Sequence, residues 1–121
     1  MSIEELVAQY CRAWDEAEAP LRYKLLKDVF EDDGIYTDPT VHLTGLGRLV
    51  EHIGQVATRY PGSRIVRTST VDVHHDRLRF GWRKQLAGGD LLPDSVDFAM
   101  LSPRGKLQLV VGFFGPMKAI G

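Results

Sequence analysis

The chain has 121 residues, 44% hydrophobic and 26% charged, which allows one domain, residues 1–121, around a single core. A net charge of -1 argues against nucleic acid as a partner, and one cysteine excludes an internal disulfide and suits a reducing compartment. No apolar run approaches the roughly 18 residues of a membrane span and no basic-then-apolar leader opens the sequence, so the expectation is a cytoplasmic protein with no membrane partner.

Ser2-Ile3-Glu4-Glu5 reads as a capping box, and Ile3, Leu6, Val7, Tyr10, Ala13 and Trp14 then keep helical spacing. That stripe turns Tyr10 inward. Pro20 suits the first turn of a second helix, with Leu21, Leu25, Leu26, Val29 and Phe30 as its buried face and Glu31 to Gly34 as its end. Ile35-Tyr36-Thr37 is long enough only for a short strand, which Asp38-Pro39 breaks. A third helix is expected from about Leu46 to Tyr60, stopped by Pro61-Gly62. Four strands follow at about Arg64 to His74, Leu78 to Leu86, Ser95 to Leu101 and Leu107 to Phe114. Short turns between them favour an antiparallel meander. The order α-α-β-α-β-β-β-β defines an α+β fold.

The last strand is apolar on both faces, with Leu107, Leu109, Val111 and Phe113 on one and Val110, Gly112 and Phe114 on the other. A strand covered twice needs helices on one side and a second cover on the other, most simply another copy of the chain. The expected partner is therefore a homodimer mate on the outer sheet face. Gly112, facing the helices, leaves room for a ligand. Ile53, Val71, Phe98 and Val111 are expected to be largely buried.

Asp97 falls inside the apolar strand SVDFAML, where an unpartnered carboxylate costs several kcal/mol or takes up a proton. Together with Tyr10 in YCRAWD and Asp38 in IYTDPT it points to an acid–base pocket. Each residue also has a plainer reading. Tyr10 fits a core tyrosine bonded to a carbonyl, Asp38 a turn residue before Pro39, and Asp97 the partner of Arg79 or Arg83.

With YCRAW on the first helix, VFEDDGIYTDP before the third, the VDFAMLSPRGKL hairpin and a closing GFFG, the chain resembles the NTF2-like superfamily over nearly its full length. The branch it resembles is the SnoaL-like and ketosteroid-isomerase-like one. The resemblance implies a cystatin-like cone: a curved antiparallel sheet around the long third helix, with an apolar cavity closed by the first two helices. It also implies a catalytic set, with Tyr10 and Asp97 as oxygen-binding donors and Asp38 as the base. The ligand pocket would be lined by Trp14, Phe80, Trp82, Val110, Gly112 and Phe114.

Phe80 and Trp82 suit a pocket face, but Lys84 follows in the same register and Trp82 takes space that a steroid would need. The implied ligand is thus a small, mostly apolar carbonyl or ring compound. Isomerisation of it would need no cofactor: a base takes the α-proton while donors hold the enolate oxygen. A binding or protein-interaction module that has kept the cavity without turnover is the alternative. No metal is expected, because His74 and His75 as strand neighbours face opposite sides and His42 and His52 lack ligand spacing. Cys11 reads as a small buried hydrophobe. Arg64, Arg67, Arg77, Arg79 and Arg83 read as solvated or interface charges, with a charged-ligand mouth the lesser reading.

Overall fold

The computed structural model describes residues 1–121 and is a mixed α+β fold, with three helices and a curved seven-stranded sheet that does not close into a barrel. The helices are α1 (Ile3–Asp15), α2 (Ala19–Lys27) and α3 (Leu46–Arg59). The strands are β1 (Phe30–Asp38), β2 (Val41–Thr44), β3 (Arg64–Arg67), β4 (Asp72–His74), β5 (Arg77–Gln85), β6 (Ser95–Leu101) and β7 (Leu107–Phe113). They lie in the order β2-β1-β7-β6-β5-β3, with β4 also paired to β5. All pairs are antiparallel except β1–β7, which is parallel, so the sheet is mixed rather than the pure meander expected. No helix is long and apolar enough to cross a membrane.

The start of α1 forms as its sequence dictates: Ser2 Oγ accepts the Glu5 amide and Glu5 Oε1 accepts that of Ser2. Its apolar stripe and that of α3 meet the concave sheet face, where Val7, Ala13, Leu26, Phe30, Leu49 and Ile53 are fully buried. Burying a side chain of this size is worth about 1.5–3 kcal/mol, so this layer holds the helices on the sheet.

Four expectations need correction. The second helix ends at Lys27, and Phe30 instead begins a nine-residue strand that pairs with β2 through the turn at Pro39-Thr40. Val29 and Phe30 are buried as expected, but as strand-entry residues, while Leu21 is 43% exposed. The strand expected from Arg64 to His74 splits into β3 and β4. The chain between them crosses Gly81, where a Cβ would stand 2.5 Å from Thr68 Oγ1, and Ser69 Oγ takes the Gly81 amide. Leu107 does not share the outer face with Leu109: one extra residue on β7 shifts the register, turning Leu107 inward. Ile53 is fully buried, but Val71, Phe98 and Val111 are only half-buried. Phe98 and Val111 are paired on the outer face, which nothing in the single chain covers.

Candidate functional site

The concave face encloses a cavity of about 400 Å³ lined by 20 residues, 11 of them hydrophobic. Tyr10 and Trp14 reach it from α1, Asp38 and Tyr36 from β1, His52 and Val56 from α3, Phe80 and Trp82 from β5, and Asp97 from β6. Phe114, just past β7, lies edge-on to Trp82 at 6.0 Å. Of the residues expected here, Val110 and Gly112 do not line the cavity. Val110 is packed beneath it in the core. Gly112 instead separates the two aspartates, for a Cβ there would lie 3.1 Å from Asp97 Oδ1 and 3.3 Å from Asp38 Cβ. Its small size lets both carboxyls turn toward one space.

Asp97 is 6% exposed and pairs with neither arginine considered for it; Arg79 meets Asp72 and Arg83 meets Asp94. It instead accepts the Trp82 indole N–H at 2.9 Å through Oδ1. Burial pushes its pKa up to about 7, the indole bond opposes this, and the Asp38 charge adds to it. With Oδ1 taken by the indole, the proton sits on the oxygen left free for a ligand.

Tyr10 is 1% exposed and its hydroxyl finds no acceptor in the chain, the one polar group near its oxygen being the Trp14 indole, so the plainer reading of a tyrosine tied to a carbonyl does not hold. Burial, with the Asp97 charge second, raises its pKa well above the usual phenol value. A buried hydroxyl without a partner costs about 1–3 kcal/mol, and a ligand oxygen would relieve that.

Asp38 shapes its turn and also lines the cavity. Oδ1 accepts the Thr40 amide at 2.7 Å, the Thr40 hydroxyl at 2.6 Å and the Val41 amide at 3.2 Å, shaping the turn. Oδ2 takes the Tyr36 hydroxyl at 2.5 Å.

Sequence reasoning missed two members of this group. Tyr36 stands two residues before Asp38, the spacing that puts both on one face of β1; the signal was present but hidden while the segment was read as too short. Burial raises the Tyr36 pKa far above its ordinary value. His52 shares the buried face of α3 with Leu49 and Val56, and its polarity on that face was the available signal. It is 8% exposed, its Nε2 has no partner, and burial lowers its pKa against the pull of the Asp38 charge. It packs with Tyr36 and Trp14 at 5.8 and 6.0 Å between ring centroids.

Cys11 also touches the cavity, and burial pushes its thiol up to about 12, which leaves it an inert apolar surface. The histidine pair needs correcting: His75 leaves the strand with φ +50°, which brings its ring to His74, Nδ1 to Nδ1 at 3.1 Å. Both are exposed, and no group of three or more metal-ligating side chains forms anywhere in the chain.

No protein-family model matches the sequence, and comparison with curated proteins finds no similar sequence. Solved structures do match. One is a protein of the SnoaL-like family from Agrobacterium tumefaciens str. C58, for which isomerase activity has been suggested. It is 28% identical, with 93% of this chain and 96% of that one covered and a TM-score of 0.87. A cystatin-like protein from Nostoc punctiforme PCC 73102 is 15% identical, over 94% and 89% of the two chains, at a TM-score of 0.73. A protein of ketosteroid isomerase-like fold from Catenulispora acidiphila DSM 44928, in complex with trimethylamine, is 12% identical over 94% and 88%, at 0.75. These matches support the NTF2-like superfamily as the one whose fold the chain shares.

Proposed function

We propose that the protein binds a small cyclic or apolar carbonyl compound and moves a proton beside its carbonyl, an isomerisation that needs no cofactor. The observation that carries this reading is the unpartnered Tyr10 hydroxyl, buried in the same apolar cavity as an Asp97 that holds its proton to about pH 7. Both are donors waiting for one oxygen. Tyr10 and the free Asp97 oxygen bind the ligand carbonyl, and the enolate formed there strengthens both bonds. Asp38, on the other side of Gly112, receives the α-proton and returns it to the γ-carbon, two bonds further along, as the double bond moves into conjugation with the carbonyl. Tyr36 holds the receiving oxygen in place. The suggested isomerase activity of the SnoaL-like relative agrees with this chemistry.

The test is to mix the protein with a β,γ-unsaturated cyclic ketone and follow the conjugated enone by its absorbance. Turnover should fall by about a hundredfold or more in Asp38→Asn, which cannot accept the proton, and by about tenfold or more in Tyr10→Phe. Turnover that is absent from the wild type, or unaffected by both substitutions, overturns the enzymatic reading.

One observation favours a second reading, a pocket that binds without turnover. Asp38 already accepts four hydrogen bonds, three of them in its own turn, which compete with a proton for its lone pairs. Ligand binding that depends on Tyr10 and Asp97, with no turnover of any such ketone, is the outcome that selects it.

The protein acts as a homodimer in this proposal, joined through the outer sheet face. Val96 and Phe113 are 37% and 58% exposed there, beside the half-buried Phe98 and Val111.

A further inference from the structure

Only four of the 20 cavity-lining residues carry a formal charge, two acids and two bases. On β5 the inner-face residues run Phe80, Trp82, Lys84, with Phe80 level with Asp97 across the β5–β6 pair. Lys84 is four residues on, so its backbone lies about 13 Å further along the strand. On α3 the cavity-facing residues run His52, Val56, Arg59, and the charges of both Asp38 and Arg59 reach His52. Arg59 is seven residues beyond His52, or about 10 Å along the axis. Along β5 the buried Asp97 and the half-buried Lys84 thus stand at different levels of the cavity, and on α3 the exposed Arg59 lies beyond the buried His52.

Lys84 Nζ lies 5.4 Å from the centroid of Tyr60, the residue that follows Arg59 and also lines the cavity. Neither Lys84 nor Arg59 makes an ion pair or a side-chain hydrogen bond, whereas Arg67, Arg79 and Arg83 each form an ion pair. Asp15, the acid facing Lys84 from α1, has one carboxyl oxygen held by the Ile65 amide at 2.8 Å. Lys84 is half-buried, so its ammonium has lost part of its hydration, offset only by the Tyr60 ring and the Asp15 charge and by no hydrogen bond. A purely apolar ligand leaves that loss uncompensated.

We infer that the ligand carries an anionic group, such as a carboxylate, bound by Lys84 and Arg59 at the open end while its carbonyl meets Tyr10 and Asp97 at the closed end. This rests on the oxygen-binding role of Tyr10 and Asp97 proposed above and adds the substrate class. The reverse orientation would place the anion against Asp38 and a partly ionised Asp97, which repel it. Backbone offsets of about 10 and about 13 Å leave room for a bicyclic acid between the two ends.

Three probes of one shape test this by calorimetry: 2-naphthol, 6-hydroxy-2-naphthoate and the methyl ester of that acid. The hydroxyl stands in for the enolate oxygen. The naphthoate is expected to bind about tenfold tighter than the other two, with the advantage shrinking as salt is added. In Lys84→Met and Arg59→Gln, read against the wild type, the ratio of naphthoate to naphthol affinity should fall to within about threefold. Equal affinities in the wild type, or a preference that survives both substitutions, overturns the anionic ligand and leaves the oxygen-binding reading standing. No binding of any of the three overturns both.

Discussion

At the scale of single residues, the closed end of the cavity is a set of polar groups whose environments push them apart. Asp97 holds a proton to about pH 7, and Tyr10 offers a hydroxyl that nothing in the chain accepts. The Asp97 shift has a consequence for stability. Its carboxyl holds a proton to about pH 7 when folded, against an ordinary value of 3.8, so between these values the native state binds more protons and stability falls as pH rises. Asp97→Asn is free of that loss, so it should gain roughly 1–3 kcal/mol on the wild type between about pH 4 and about pH 8, read by denaturant melts. Glu31 works in the opposite direction. The Arg104 guanidinium and then the Ser102 hydroxyl hold its carboxyl down at about 2 against an ordinary 4.5. The stability it contributes is complete above about pH 4.5 and is lost as pH falls toward 2. Melts of Glu31→Gln should accordingly vary less than the wild type over that acid range. Tyr10 and Asp97 were legible in sequence because a helical stripe and an apolar strand each made a polar side chain conspicuous. His52 was not, since one histidine among the polar residues of α3 attracts notice only once the buried face is known.

At the scale of elements, most of the fold followed from periodicity, and the failures share a cause. Val29 and Phe30 continue the helical spacing of Leu25 and Leu26, yet they are also buried as the entry to β1, so burial alone could not distinguish helix from strand. That one boundary hid β1, β2 and with them Tyr36. The bend between β3 and β4 depends on Gly81, a long-range fit that no local pattern announces. Arg22 is a similar case. It is 2% exposed on α2 and donates to the carbonyls of Glu16, Ala17 and Val50, tying the end of α1 to α3. Its room comes from Gly54, where a Cβ would stand 3.1 Å from Arg22 Nη1. Arg22→Met should lower stability by about 2–4 kcal/mol, because carbonyls at the helix junction are left without donors. A denaturant midpoint equal to that of the wild type would refute this role.

At the scale of the whole molecule, sequence resemblance gave the cone and its cavity, while the levels of the charged groups along the cavity became visible only once α3 and β5 were placed. The outer sheet face bears on the same scale. Val96, Phe98, Val111 and Phe113 form an apolar surface that the monomer leaves open. Sedimentation equilibrium at micromolar concentration should give twice the 13.6 kDa chain mass, and Phe113→Glu should return the single-chain value. A wild-type mass of one chain would remove the dimer. Whether or not the chains pair, the central claim concerns the cavity: Tyr10 and Asp97 form a binding site for an oxygen that gains negative charge. Its most direct test is to titrate 2-naphthol into the protein near neutral pH and follow the absorbance of the bound phenol. The account predicts a shift toward the naphtholate spectrum, with affinity reduced about tenfold or more in both Tyr10→Phe and Asp97→Ala. A bound naphthol that keeps its neutral spectrum, with both variants binding like the wild type, would contradict it.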